Sequence, residues 1–242
     1  MNFRTEGEFT FAGKNSADFG IYLSDVPSWT KPKRQQEVIS VPGRNGDIII
    51  PYDAWDNSTG KFSIFTVGTM DDADAKASAI EDWLSAAGYQ RLENNFEPDV
   101  YRLAYYSGGD DISNILTKVN KGNLTFDAQP QRFLKVGERA ITLTSGAKLR
   151  NPTSFAAKPQ ITVKGTGKAS LQVGKYVISI SNIGGEITID SATQYVYSDG
   201  GKTGRGSDVS LTEYPELTGT VSVAWSGSGV AGVSIIPNWW KL

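Results

Sequence analysis

Apolar and polar residues alternate through most of the first 67 positions. Phe9 and Phe11, then Phe19, Ile21 and Leu23, then Phe62, Ile64, Phe65 and Val67 follow a two-residue period or short apolar runs, with Gly, Pro, Asn and Asp between them. That pattern predicts short strands. One stretch departs from it. Ala73, Ala77, Ile80, Leu84 and Ala87 recur at helical spacing, with Trp83 flanking the same face. Asp71 and Asp72 suit a helix N-terminus by capping and by the dipole, and Gly88 suits the C-terminal end. A single amphipathic helix over about residues 71–87 is predicted on a β scaffold.

Beyond the helix, Tyr89–Leu92 and Val100–Tyr106 read as strands joined by Asn94–Asp99, and Gly108-Gly109-Asp110-Asp111 as a loop. Leu116–Val119 and Leu124–Asp127 read as strands, with Lys121-Gly122-Asn123 as the turn between them. From Ala140 onward the helical period vanishes. Strands are predicted at Ala140–Leu143, Gln160–Lys164, Ala169–Val173, Tyr176–Ile180, Glu186–Ile189, Gln194–Tyr197, Thr220–Trp225 and Val233–Ile236. Short strands with turn signals every 8–12 residues indicate a β-sandwich.

Between the first strands lies Ile39-Ser40-Val41-Pro42-Gly43-Arg44-Asn45-Gly46-Asp47. Pro42-Gly43 predicts a type II turn, with Gly43 taking the positive φ. Asn45-Gly46 predicts a second tight turn of the primed type. Ile48-Ile49-Ile50 resumes as strand and Pro51 closes it. The result is a stiff hairpin arm that either reaches a neighbour or caps its own sheet.

Length and composition narrow the function. At 242 residues the chain makes one large domain or two modest ones. Cysteine and histidine are both absent. That removes disulfides, thiolate metal sites, the commonest general base and every His-based triad. The composition argues against an enzyme, and no cofactor or metal is expected. Asp53, Asp56 and Asn57 make only a scattered set of calcium-type ligands. Asp71, Asp72 and Asp74 are explained as helix N-terminal charges, Asp110-Asp111 as loop residues, and Asp190 as an Asx turn. Gly201-Lys202-Thr203 lacks the first glycine of a phosphate loop, since Val196 stands there, and no helix pattern follows.

Arg4, Glu6 and Glu8 spoil a signal-peptide apolar region, and no apolar run approaches the ~20 residues of a membrane span, so synthesis in a cytoplasm and no membrane partner are expected. The charge is uneven. Residues 1–134 hold 13 basic and 19 acidic residues, a balance of −6, and residues 135–242 hold 11 and 7, a balance of +4. The first part is a poor nucleic-acid binder, and the mild, interspersed excess of the second reads as solvated surface.

The ordered set Phe9-Thr10-Phe11-Ala12-Gly13, Asp18-Phe19-Gly20-Ile21 and Val41-Pro42-Gly43-Arg44-Asn45-Gly46 resembles the distal tail protein (Dit-like hub) family of siphophages that infect mostly Gram-positive bacteria, or a prophage version of it. The later chain is similar to that family too. Asn151-Pro152-Thr153, Pro159 to Gly167, Ile187 to Asp190 with Tyr195 and Tyr197, Tyr214 to Trp225, and Ile235 to Trp240 stand in its order. Thr220 stands where Asn is frequent there, and Asn238 where Arg is common.

The resemblance implies a mainly β fold. An N-terminal β-sandwich or barrel-like domain, 1–134, would carry one α-helix and a projecting hairpin arm, followed by a C-terminal galectin-like β-sandwich, 135–242. It also implies a structural role: a hexameric ring, single or as two stacked rings, joining the tail tube to the baseplate or tip. The implied partners are its own copies, the tail tube protein, the tail-tip or tail-associated lysin protein, and receptor-binding proteins docked on the outer domain. DNA would pass the bore without specific binding, and the location would be the virion.

Within that frame, Val41, Pro42, Gly43, Arg44, Asn45, Gly46 and Asp47 are the candidate oligomer interface. A carbohydrate-binding module is the alternative function, with Tyr195, Tyr197 and Trp225 as candidate glycan contacts. Alternation puts Tyr195 and Tyr197 on one face, expected to be a core face, and Trp225, Trp239 and Trp240 are expected to plug sandwich edges.

Overall fold

A computed structural model describes residues 7–67, 73–112, 115 and 121–242. The chain divides into two compact units, one running to Arg132 and one from Phe133 to Lys241. The predicted helix start at Asp71 and Asp72 and the predicted strand Leu116–Val119 lie outside the described residues.

The first unit carries β1 (Phe9–Phe11), β2 (Lys14–Asn15), β3 (Ile21–Leu23), β4 (Ser28–Trp29), β5 (Arg34–Ile39), β6 (Ile48–Trp55) and β7 (Ser58–Thr66). Then come α1 (Ala73–Leu84), β8 (Gln90–Asn94), β9 (Val100–Gly109) and β10 (Lys121–Ala128). Its main sheet runs β2-β1-β8-β9-β10-β7-β3, with β4 added on β7, and curls into a half-barrel.

The inward side chains of these strands alternate with polar ones, as half-buried antiparallel strands require. Phe9, Phe11, Phe62 and Phe126 are fully buried and meet edge to face or tilted, at centroid distances of 5.0–5.9 Å. Ala77, Ile80 and Leu84 form the buried stripe of α1, three to four residues apart. Trp83 extends that stripe, stacking on Phe19 at 4.5 Å and on Phe9 at 5.6 Å. Its indole N–H donates to the Phe11 carbonyl oxygen at 2.8 Å, which satisfies the buried donor.

A second fixture is ionic. Glu97 accepts from Arg102 at 2.6 Å and from Arg132 at 3.0 Å, and the Arg102 guanidinium lies over the Trp29 ring at 4.2 Å. Burial alone would push the Glu97 carboxyl up. Its hydrogen bonds and the two guanidinium charges outweigh that and hold it below the ordinary carboxylate value.

Two local expectations change. Lys121-Gly122-Asn123, expected as a turn, is the start of β10, paired with Phe65, Ile64 and Ser63 of β7. Gly108 and Gly109, expected in a loop, continue β9 through a bulge. Thr125 faces Gly108 and Phe126 faces Tyr106, so Ser107 is the extra residue. In both places a non-local ladder keeps glycine-rich chain extended.

β11 (Arg132–Leu134) spans the boundary. The second unit continues with β12 (Ile141–Leu143), β13 (Ala147–Arg150), β14 (Gln160–Gly165), β15 (Ala169–Val173), β16 (Tyr176–Ile180) and β17 (Gly185–Asp190). Then follow β18 (Tyr195–Ser198), β19 (Thr203–Gly204), β20 (Val209–Leu211), β21 (Thr220–Ser226), β22 (Val230–Ile236) and β23 (Trp240–Lys241). Two antiparallel sheets result, β12-β22-β14-β17-β18-β19 and β13-β21-β15-β16-β20. Ile161, Val163, Ile187, Ile189, Val196, Val233 and Ile235 from the first sheet join Leu171, Val173, Ile178, Ile180, Val221 and Val223 from the second in one apolar core. This is a β-sandwich.

Candidate functional site

The arm consists of β5 and β6, which among the described residues pair only with each other. Direct pairs share a face in an antiparallel ladder. Val38 and Ile49 therefore lie on one face. Ile39 with Ile48, and Glu37 with Ile50, lie on the other, where Tyr52 follows by alternation. Both faces are exposed: Val38 by 53% and Ile49 by 57%, with Ile39, Val41, Ile48, Ile50 and Tyr52 also open. A two-stranded hairpin by itself is marginal in water. This one also exposes seven large apolar side chains close together.

Polar contacts hold its base. Arg34 donates to the Tyr52 carbonyl oxygen at 3.0 Å and to Asp53 at 2.9 Å, and the Asp56 amide donates to the Lys33 carbonyl oxygen at 2.8 Å. Tyr52 Oη donates to Glu37 at 3.3 Å. At the tip, the Arg44 amide donates to the Val41 carbonyl oxygen at 3.1 Å, and Gly43 has φ +80°. With Pro42 and Gly43 as central residues this is the expected type II turn.

The second expected turn differs. Gly46 has φ +80° but Asn45 keeps a negative φ, so the pair is not a type I′ turn. The eight residues Ser40 to Asp47 that separate β5 from β6 are too many for a two-residue hairpin loop, and the ladder imposes no primed geometry. Pro51 does not close the strand either. It sits within β6 opposite Gln36, beside a register shift between Arg34 and Gln36. A two-stranded ribbon leaves outward amide positions unpaired, where a proline costs no ladder bond. The side chains of Arg44 and Asp47 have no ionic or hydrogen-bonding partner among the described residues, and both are exposed.

The candidate glycan residues separate. Tyr195 and Tyr197 lie together on β18, with ring centroids 5.8 Å apart and 27° between planes. They face outward, not toward the core as expected. Val196 between them is the buried residue, paired with Ile189. Alternation alone does not set the phase here, because tyrosine fits either face and the burial of Val196 decides it. Trp225 belongs to β21 in the other sheet, half-buried against the core, with its backbone tied to Ser145. It shares no site with the tyrosines. Trp239 is buried and Trp240 packs on the core edge, its indole N–H donating to the Ala156 carbonyl oxygen at 2.8 Å.

Around the tyrosines the sheet gathers groups far apart in sequence. Asp190 pairs with Tyr195 and Thr188 with Tyr197, while β14 sets Gln160 beside Asp190 and Lys164 beside Glu186. Gln160 Nε2 donates to Tyr197 Oη, Thr162 and Thr188 share a hydroxyl bond of 3.0 Å, and Lys164 pairs with Glu186 at 3.3 Å. Thr188 is buried although it faces outward, under its cross-strand partner Tyr197. Burial, then the Asp190 and Glu186 carboxylates, push the Tyr197 phenol up, so it stays a protonated donor at neutral pH. Asp190 makes the expected Asx turn through Oδ1, accepting from the amides of Ala192 and Thr193.

Among the described residues no group of three or more carboxylates is placed to hold a metal ion, and no helix is long and apolar enough to cross a membrane.

No family model and no curated protein matches the chain. Among solved structures it is similar to the SPP1 Dit (gp 19.1) protein, described as a paradigm of the hub adsorption apparatus in Gram-positive infecting phages. The TM-score is 0.70 at 11% identity, over 98% of this chain and 99% of that one. The fold of this chain is a Dit-like fold, shared along almost its whole length.

Proposed function

We propose that this chain is a structural protein of a phage tail tip, built into the virion as a ring between the tail tube and the baseplate or tip. The first unit closes the ring, hexameric and single or doubled. The second unit presents an outer surface on which receptor-binding or other tip proteins dock. The observation that carries the reading is the arm. Its seven exposed apolar side chains would each gain about 1–2 kcal/mol on burial, which a neighbouring copy can supply. A contact made by an arm on one subunit with a different surface on the next is heterologous, and such a contact closes into a ring when its rotation permits. The Dit-like fold adds that a known tail hub is built on the same scaffold.

The chemistry is then mechanical. Association needs no turnover, and the chain carries neither cysteine nor histidine for common catalytic routes. The acid-rich first unit suits a bore through which DNA slides without sticking. The test is analytical ultracentrifugation of the chain and of Val38→Ser/Ile49→Ser. The reading expects assembly that weakens in the double variant while the monomer keeps its β spectrum. Equal assembly by both would remove the arm from the interface. The competing reading, a free-standing carbohydrate-binding module, expects no such association and gives the arm no role.

A further inference from the structure

The outward face of β14, β17 and β18 carries an arrangement that ring assembly does not use. Tyr195 and Tyr197 stack as a pair, and Tyr195 remains 47% exposed. Its hydroxyl end rests over Gly204 of β19, where a Cβ would lie 2.7 Å from the oxygen. A side chain at that edge would push the ring out of this pose. Tyr197 is fixed by Gln160 from one side and covers Thr188 below. The platform is therefore held in place before any ligand arrives, which lowers the entropic cost of binding.

Its rim offers unused hydrogen-bonding capacity of both kinds. Asp190 commits Oδ1 to its own turn and leaves Oδ2 open. Gln160 spends its amide N–H₂ on Tyr197 and keeps its carbonyl oxygen as an acceptor. The Tyr195 and Tyr197 hydroxyl protons are donors, and Lys164 stands beyond, paired with Glu186. An aromatic platform bordered by acceptors and hydroxyl donors matches a ring with apolar C–H faces and equatorial hydroxyls at its edge. Lys164 offsets Glu186, so Asp190 leaves this face net negative, which disfavours phosphate- or carboxylate-bearing polymers.

We infer that the face formed by Tyr195, Tyr197, Gln160 and Asp190 is a binding site for a neutral saccharide residue. The inference stands on the second unit alone and does not depend on ring closure.

The experiment is a nuclear magnetic resonance titration of the full chain with tyrosine rings labelled. The probes are neutral oligosaccharides of glucose, galactose, rhamnose and N-acetylglucosamine, against poly(glycerol phosphate) as the anionic comparison. The expected result is saturable shifts of the Tyr195 and Tyr197 ring signals with at least one neutral probe and none with the anionic polymer. Tyr195→Ser and Asp190→Asn should each weaken binding at least about tenfold. Asparagine keeps the Oδ1 turn acceptor, so Asp190→Asn tests the open oxygen without dismantling the turn. Silence of both rings with every neutral probe to about 10 mM would overturn the inference, as would binding unchanged in both variants or preferential binding of the anionic polymer.

Discussion

The amide of Arg44 donates to the carbonyl oxygen of Val41 at 3.1 Å across Pro42-Gly43, and this one bond fixes how the arm turns at its tip. Proline presets the first central φ, and glycine accepts the second at +80°. Arg44 is thereby presented outward at the end of a hairpin whose two strands pair with no other strand among the described residues.

Gly43→Ala tests backbone strain alone, because a Cβ at this position would meet nothing within 4 Å. The substitution should cost about 1–2 kcal/mol locally through the left-handed φ. Amide exchange at Arg44 should quicken, while the melting temperature of the first unit stays unchanged. A drop in that melting temperature would show that the arm is coupled to the core.

Arg44→Asp, or deletion of residues 43–46, should weaken assembly and leave the monomer folded. Because the chain has no cysteine, a single Ile49→Cys variant gives a clean reporter. A short thiol–amine cross-linker should join it to a neighbouring chain and give ladders of linked copies on a denaturing gel. Cross-links confined within one chain would argue that the arm folds back.

Trp83 joins α1 to the sheet through two ring stacks and one hydrogen bond. Trp83→Phe keeps most of the packing but leaves the Phe11 carbonyl oxygen without that donor, and should cost about 1–2 kcal/mol. Trp83→Ala should cost about 3–5 kcal/mol by opening a cavity. Chemical denaturation read on the first unit's transition checks both, and equal losses would mean that the hydrogen bond carries the contact.

Glu97 predicts an acid-side weakness. Its carboxyl is held below the ordinary value of 4.5. The unfolded state therefore takes up the proton first as pH falls. The stabilisation is fully present above 4.5 and is lost as pH drops through the lower folded value. Glu97→Gln should flatten that part of the stability profile. At neutral pH it should also destabilise the fold by about 1–3 kcal/mol, because buried Arg102 loses its counter-charge. An unchanged acid limb in thermal melts from pH 3 to 6 would remove Glu97 from this role.

Much of this architecture was legible because burial writes itself into periodicity. Phe9/Phe11 and Ile21/Leu23 alternate where a core lies on one side, and Ala77, Ile80 and Leu84 keep helical spacing against it. What escaped was set by partners distant in sequence. Ala147–Arg150, Thr203–Gly204, Val209–Leu211 and Trp240–Lys241 are too short or too polar to show a period, and they are strands because a neighbouring edge pairs with them. The same holds for Lys121–Asn123, which reads as a turn and is held extended by β7.

The sites divide likewise. Val41-Pro42-Gly43 announces its turn locally, and the type II geometry follows from two residue types. The face at Tyr195 could not be read in that way. Gln160 and Asp190 stand 30 positions apart in sequence, and only the β14–β17–β18 register brings them beside the tyrosines. The pattern Tyr195-Val196-Tyr197 fits either orientation, and only the pairing of Val196 with Ile189 turns the tyrosines outward.

Ring closure is the central claim, and native mass spectrometry of the purified chain over a wide concentration range tests it most directly. The account predicts a six-fold species, or a twelve-fold one for two stacked rings, that dissociates in the Val38→Ser/Ile49→Ser variant. A monomer at every concentration would contradict a ring closed by the arm.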